Sequence, residues 1–403
     1  MFNQFRIKSL FVLVFAGFVG FGAYLSYNIF TEKNGQSGQQ AGRSQGIPVS
    51  GTPVSRTIET LYGTYTIDDP LIIELIDSPA LQRMKNVSQH GICSFVDSNE
   101  KPYSRYDHSV AVWAILKRFG ASRKEQVAGL LHDVSHTVFS HLGDSIFGQV
   151  GQNIAHSYQD SIHEWYLAQT CVGDILKKYN FTVHDMNIES GEFTMLDQEY
   201  PDLCVDRLEY NLRVGPWVGI IEEKDIEVIL QDLNFENNKW FFRTPEIARK
   251  FSAISLHFTQ HVWGGPEAYT LNLLGTHLLQ HAMQIKLVTK EEMHFSTDDV
   301  VWKRLSESGD SFIQKTMELI KNYKKTYVLS TPEICNYVVK TKFRGIDPLV
   351  KTGVNGEFKR LSEIDSQFAQ VHEQAKAIVK NGYPITFVGE LAGDPELTKE
   401  IYS

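Results

Sequence analysis

The chain has 403 residues, 42% hydrophobic and 22% charged, long enough for one large core or two smaller ones, with a globular enzyme as the default. A net charge of -9 argues against an extended nucleic-acid-coating surface and leaves room for a local basic pocket that takes phosphates. Cys93, Cys171, Cys204 and Cys335 show no CxxC or close pairing, so neither a zinc knuckle nor a disulfide framework is indicated.

Residues 1–30 carry Arg6 and Lys8 and then an apolar stretch from Leu10 to about Phe30. That stretch is close to the ~20 residues a spanning helix needs and long for a signal-peptide core. Phe21 and Tyr24 stand at the positions that decide cleavage after Ala23 or Ser26, so an uncleaved N-terminal anchor is preferred to a cleaved signal. A single-pass membrane-anchored protein is therefore expected, with the globular part on the side opposite Arg6 and Lys8 by the positive-inside rule. Residues 31–55, rich in Gly, Gln and Ser with Pro48 and Pro53, form a flexible linker. The globular unit is expected to comprise a core over 56–240 and a helical C-terminal part over 241–403.

Beyond Arg56, the stretch Leu61 to Ile67 is strand-like or irregular. Asp69-Pro70 opens a helix over Leu71 to Ile76, and Pro79 starts a second in which Leu81, Met84 and Val87 recur at helical spacing, with Gly91 as a stop. Arg83 and Gln89 project from it. Arg105-Tyr106-Asp107-His108 leads into Val110, Val112, Trp113, Ile115 and Leu116 before Gly120. A helix apolar on most faces is buried, so His108 in its first turn sits at a core edge where a ligand is held rigidly.

The stretch from His132 to Asp144 then collects His132, Asp133, His136, His141 and Asp144 in thirteen residues of apolar surroundings, and core packing gives no reason to gather groups so costly to bury. Ser122 and Glu125 make a capping box, so a helix is expected from there through Val127, Leu130 and Leu131 to about His136. His132 and His136 would share one face, with Asp133 rotated by about 100° from His132. β-Branched Thr137 and Val138 break the pattern and put His141 and Asp144 on a turn. Asp160 to Lys178 reads as a helix with His163-Glu164 near its start. Pro201 opens a further helix closed by Gly215-Pro216, on which Asp206, Tyr210 and Arg213 line one face with Arg207 alongside. The remainder is mostly helical in pattern, and no nucleotide-binding glycine motif, nucleophile elbow or internal repeat is present.

Residue type assigns the chemistry. His108, His132, Asp133 and Asp206 form a two-histidine, two-carboxylate set from three helices, suited to a divalent Mn, Fe, Zn or Mg ion with open positions for water and phosphate oxygen; a structural zinc would be closed by thiolates. His136, His141 and His163 remain for phosphate contact and leaving-group protonation, with Asp144 or Glu164 orienting an imidazole. Arg105, Arg207 and Tyr210 are phosphate and substrate clamps.

These residues carry a resemblance. Arg-Tyr-Asp-His-Ser (105–109), the His-Asp-x-x-His-x-x-x-x-His-x-x-Asp run (132–144), His163-Glu164 and Asp-Arg-Leu-Glu-Tyr (206–210) resemble the HD-domain phosphohydrolases. The likeness points to the branch with the vertebrate SAM-and-HD-domain deoxynucleotide triphosphohydrolase and bacterial dGTP triphosphohydrolases. It extends to Ile76-Asp77-Ser78-Pro79, Leu81-Gln82-Arg83 and Gln89, and so covers about 67–215. It implies an all-α HD-domain architecture, here preceded by one N-terminal transmembrane helix. It also implies His108, His132, Asp133 and Asp206 as metal ligands, and His141, Asp144 and His163 at the scissile phosphate. The implied reaction is hydrolysis of a (deoxy)nucleoside triphosphate to nucleoside and tripolyphosphate by metal-activated water. His90 departs from the apolar residue that crowds the sugar in the vertebrate enzyme, and Val214 replaces an expected acidic residue, so deoxy selectivity does not carry over. Nor does nucleotide-driven assembly, since no segment ahead of Asp69 matches the regulatory one.

His257 with His261, and His277 with His281, are spaced i,i+4, but no carboxylate falls beside either pair, which makes them wall or core histidines. Lys340, Lys342 and Arg344 form a small basic cluster, read as a solvated or ion-paired face. The expected partners are a nucleotide substrate and a membrane, with a homo-oligomer left open. The alternatives are an HD-type phosphomonoesterase or phosphodiesterase, and a non-catalytic membrane-tethered nucleotide-binding scaffold.

Overall fold

The computed structural model describes residues 55–148, 157–352, 356–395 and 397–398. Strands β1 (Arg56–Thr60) and β2 (Gly63–Ile67) pair antiparallel across a two-residue loop. Gly63 takes φ 119° there, open to glycine alone without strain. The loop residue Tyr62 is buried and donates its hydroxyl to the Glu209 carbonyl at 2.9 Å, so the hairpin is pinned to a helix far along the chain.

Helices α1 (Pro70–Asp77) and α2 (Pro79–Arg83) begin where the prolines predict. Asp69 and Ser78 accept the N–H groups of Leu71 and Leu81, since proline at the first turn sacrifices no bond and the preceding polar residue satisfies an orphan donor. Helix α3 (Arg105–Arg118) starts in a complete capping box between Ser104 and Asp107 and is buried from His108 to Leu116. Helix α4 (Arg123–Leu131) is capped by Ser122, but the Glu125 carboxylate turns away to accept the Met195 and Leu196 N–H groups at 2.7 and 3.1 Å. This helix stops at Leu131 with His132 as its C-cap, five residues short of the expected end. His132 and His136 therefore belong to a helix end and the turn beyond it.

Gly129 of α4 explains how close α3 can come. A Cβ there would collide with Leu116 and press on Val112, so glycine permits an approach that alanine would obstruct. Further on lie α5 (Leu142–Phe147), α6 (Tyr158–Gln169) and α7 (Cys171–Lys178); the last two, expected as one helix, are broken at Thr170. Helix α8 (Val205–Val214) starts four residues after Pro201. After α9 (Glu223–Asp232) come β3 (Leu233–Glu236), β4 (Lys239–Phe242), α10 (Pro245–His261), α11 (Pro266–Gln284), α12 (Lys290–Phe295), α13 (Asp298–Ser306) and α14 (Ser311–Lys321).

The all-α expectation is corrected. Strands β5 (Tyr327–Leu329), β6 (Tyr337–Val339), β7 (Leu349–Thr352), β8 (Glu357–Arg360) and β9 (Tyr383–Phe387) join the earlier ones in a hairpin, a β3-β4-β7-β8 sheet and a β5-β9-β6 sheet. Strands of three to five residues hold too little alternation to register as a pattern. Their pairings are distant, as when Phe241 meets Leu349 in a parallel pair, and are set by packing that the local sequence does not encode.

Membrane anchoring is corrected as well. Among the described residues no helix is long and apolar enough to cross a membrane. The span expected over 1–30, and the linker up to residue 54, lie outside the described residues. None of the four cysteines forms a disulfide, as their spacing indicates.

Candidate metal centre

Three helices bring the donors together: His108 from the first turn of α3, His132 from the end of α4 with Asp133 beside it, and Asp206 from the first turn of α8. His108 Nε2 lies 2.9 Å from Asp206 Oδ1 and 3.1 Å from His132 Nε2, and His132 Nε2 lies 3.7 Å from Asp206 Oδ1. The Asp133 oxygens stand 3.6 and 3.7 Å from the two Nε2 atoms.

The hydrogen-bond network fixes which ring nitrogens carry protons. His132 Nδ1 donates to the Gly129 carbonyl at 2.8 Å, and His108 Nδ1 donates to Glu209 Oε2 at 2.7 Å. Both Nε2 atoms are then left as lone-pair donors facing each other between carboxylates, an arrangement satisfied by a positive charge. Burial opposes charge on His108, yet its bonds to Asp206 and Glu209 push its pKa up to about 10, so the surroundings favour a cation at Nε2. His108, His132 and Asp206 can present one ligand atom each within 4.8 Å of one another. The set fits a divalent metal ion.

Around this core the expected residues divide. Arg105, buried, is committed internally: Nη1 donates to Asp133 Oδ2 at 2.7 Å, Nε to Ser140 Oγ at 3.0 Å and Nη2 to His141 Nε2 at 3.3 Å. Burial raises the Asp133 pKa, but Arg105 and His132 outweigh it and hold the carboxylate well below its usual range. His136 Nε2 approaches Asp133 Oδ1 at 3.1 Å, leaving Nδ1 buried without a partner, and burial with Arg105 lowers its pKa to about 3. His163 Nδ1 contacts Ser135 Oγ at 2.9 Å with Nε2 likewise unpartnered, its pKa lowered to about 4 by burial and His132. Both rings are neutral. His141, half exposed, is backed by Asp144, whose Oδ2 lies 3.2 Å from Nδ1.

Other residues are turned elsewhere. Glu164 pairs at the surface with His184, 3.0 Å away. Arg207 donates to the Asp202 carbonyl at 2.8 Å and stacks over Tyr200. Tyr210 packs edge-on against Trp263. Gln89 holds its backbone against Tyr103, with Oε1 buried and unpartnered.

Glu209 is the residue that sequence reasoning missed. Fully buried, it accepts hydrogen bonds from His108, from the hydroxyls of Tyr103 and Tyr62, and from Arg213 Nε at 2.8 Å. Burial raises its pKa, and Arg213 and His108 more than reverse this. Its position one helical turn after Asp206, on the same face, was the available signal. In Glu209→Gln an amide NH2 must face these donors. The metal dissociation constant of the variant is expected to rise about 10- to 100-fold, the usual cost of losing a carboxylate behind a metal-binding histidine. Competition against a chelator measures it, and an unchanged constant removes Glu209 from metal binding.

The turn into His141 is strained. Phe139 and Ser140 have φ of 57° and 55°, conformations that cost non-glycine residues energy and persist when neighbours hold them. Asp298 does so, accepting the Phe139 N–H at 2.7 Å and the Ser88 N–H at 2.8 Å. Burial pushes the Asp298 carboxyl up to about 7 against both bonds. An unfolded aspartate titrates near 4. Between these values the folded chain keeps a proton that the unfolded chain has lost, so this group makes stability fall as pH rises through that window. Asp298→Asn should flatten the slope and cost about 1–3 kcal/mol overall, because one N–H then faces an amide NH2. Urea unfolding at pH 5 and pH 8 checks this, and an undiminished difference in the variant rules Asp298 out as its source.

A mixed imidazole–carboxylate centre where α3, α4 and α8 meet is that of a metal-dependent phosphohydrolase. Residues 105–169 match the HD domain family model, which is consistent with the HD-domain phosphohydrolase superfamily. The uncharacterized protein YdhJ of Bacillus subtilis is 29% identical over 77% of this chain and 96% of its own length. The metal-dependent phosphohydrolase cns2 of Cordyceps militaris is 32% identical over 43% of this chain and 49% of its own. The deoxynucleoside triphosphate triphosphohydrolase SAMHD1 homolog of Dictyostelium discoideum is 19% identical over 66% of this chain and 57% of its own.

Proposed function

We propose that this protein hydrolyses nucleoside triphosphates to nucleoside and tripolyphosphate at the His108, His132, Asp133 and Asp206 centre. The observation that carries the reading is the pair of Nε2 lone pairs set against carboxylates, with neutral imidazoles and a half-exposed His141–Asp144 pair beside them. The Dictyostelium relative's name supports the triphosphate. A divalent ion, when bound, activates water and neutralises charge on phosphoryl oxygens.

The chain's own residues do the rest. Glu209 and the Gly129 carbonyl hold the two imidazoles in the tautomer that presents Nε2. Arg105 keeps Asp133 ionised and aimed. His141 takes and returns a proton at Nε2, and Asp144 stabilises the imidazolium through Nδ1. The core over 56–240 and the part over 241–403 act as one unit, a reading supported by Trp263 on Tyr210 and by Asp298 under the Phe139 turn.

The test is a product screen of the purified full chain over ribo- and deoxynucleotides with Mn, Fe, Zn and Mg in turn. Nucleoside with intact tripolyphosphate is the expected result. Release of orthophosphate alone identifies a phosphomonoesterase, and turnover of cyclic or bridged nucleotides alone a phosphodiesterase; either overturns the proposal.

A further inference from the structure

Between the end of α4 at Leu131 and the start of α5 at Leu142 the chain runs through turns, and main-chain carbonyls released there need partners from outside the helix. Arg83, the last residue of α2, supplies them. Its Nη2 donates to the His136 carbonyl at 2.6 Å and to the Val134 carbonyl at 3.1 Å, and its Nη1 donates to the Ser296 carbonyl at 2.9 Å. The guanidinium also lies over the buried Tyr166 ring, 5.5 Å from the centroid, and Tyr166 stacks on Phe295, the neighbour of Ser296. A planar fork of donors can join carbonyls in this way, which a single ammonium cannot reproduce.

The joined carbonyls belong to different parts of the molecule. Val134 packs in the core shared by α3, α4 and α8, the helices of the metal centre, and Leu81 and Met84 beside Arg83 pack there too. A few residues on, Val138, Phe139 and Leu142 pack in a second core with Met293 of α12. The turn is tied to that second part by its own backbone, since the Val138 N–H donates to the Met293 carbonyl at 2.9 Å and the Phe139 N–H to Asp298. His108, His132 and Asp206 therefore ride on helices of one core, and His141 rides on a turn seated in the other. Arg83 spans the two, with Ser296 between α12 and α13 at one end of its fork and the turn at the other.

Inside the turn the His136 ring stands edge-on to the His141 ring, with centroids 5.1 Å apart, so whatever fixes the His136 backbone also fixes the wall against which His141 rests. We infer that Arg83 is a positioning residue which, by joining the Val134, His136 and Ser296 carbonyls, sets where His141 stands relative to the metal centre. Its role differs from that of Arg105, which bonds the His141 ring and Asp133 directly; Arg83 acts through main chain alone. This role rests on the part given to His141 above, and it holds whichever phosphate bond is cut. Removing the fork leaves buried carbonyls without donors and lets the turn shift, and a shift of about 1 Å at a reacting group is felt as a large loss of rate.

Two variants of the full chain test it. Arg83→Gln offers an uncharged amide on a shorter arm, and Arg83→Lys keeps the charge without the fork; circular dichroism with thermal melting verifies folding, and the milder lysine variant carries the test where the glutamine one does not fold. With Mn added as the probe ion, paramagnetic broadening of the His141 ring protons reports their distance from the metal, the signal being assigned by its loss in His141→Ala. The broadening should differ from wild type in both variants while elemental analysis gives the same metal per chain. On the nucleoside triphosphate turned over in the screen above, kcat should fall about 10²-fold in Arg83→Gln with KM unchanged. In a His141→Ala background the same substitution should cost far less, because a residue that acts through His141 then has nothing to position, whereas a merely structural contribution would carry over in full. Identical broadening in wild type and folded variants, no broadening in any of them, or an equal loss of kcat with and without His141 overturns the role. Altered broadening in a protein that releases orthophosphate alone supports the role and sinks the triphosphohydrolase assignment. Tripolyphosphate release with unaltered broadening does the reverse.

Discussion

Asp206→Ala is expected to fold, to retain no divalent ion and to lose turnover by about four orders of magnitude or more, the scale on which removal of an indispensable group is felt. The carboxylate supplies one of two negative charges between which the imidazole lone pairs converge, with Oδ1 2.9 Å from His108 Nε2 and 3.7 Å from His132 Nε2. Without it the donor set loses charge as well as a ligand atom, and Asp133, ionised but already paired with Arg105, cannot compensate. Folding should survive. Asp206 sits in the first turn of α8, where a lost acidic side chain costs about 0.3–1 kcal/mol of helix-end stabilisation. Elemental analysis per chain is the decisive measurement, with circular dichroism as the check on folding. Equal metal in wild type and variant would sink the assignment of this centre.

What the sequence could disclose was the chemistry, because histidines and carboxylates in apolar surroundings are conspicuous wherever the chain then carries them. The HD-domain match was legible on that ground, as were the starts of α1 to α4, where caps and prolines act within a few residues. The end of α4 was not. His132 serves as C-cap and spends Nδ1 on the Gly129 carbonyl, a bond that appears once the chain has turned. The partnerships of Arg105 and Glu164 were equally hidden. An arginine near a phosphate site looks like a clamp until Asp133 and Ser140 claim it, and a glutamate next to a site histidine can point away, as Glu164 does toward His184.

The β-structure escaped for a different reason. Tyr337–Val339 and Tyr383–Phe387 have the aromatic and β-branched character of strands, but the partner that stabilises each lies dozens of residues away. Glu209 shows the same limit within the site. Its isolated sequence context is a helix interior, and its importance comes from Tyr62, Tyr103, His108 and Arg213 arriving from three other places in the chain or one turn on. Such a carboxylate becomes identifiable after the donors around it are counted.

His141→Ala separates metal binding from chemistry. His141 lies past the end of α4 on the strained Phe139–Ser140 turn, where it contacts Arg105 and Asp144 and stands against the His136 ring. The variant should therefore keep its metal, bind a non-hydrolysable nucleotide, and lose about 10²- to 10⁴-fold in kcat, the range for a positioned proton donor or acceptor. The loss belongs in kcat because a group that acts on the leaving oxygen contributes when charge develops there, whereas a contact of the bound ground state would appear in KM. Asp144→Asn provides the companion measurement. It keeps an acceptor for Nδ1–H but removes the charge that stabilises the imidazolium, so it should fall in the same parameter by a smaller factor. A variant that loses its metal would make His141 a ligand. An unchanged kcat on the identified substrate would remove it from the reaction, and with it the part assigned to Asp144.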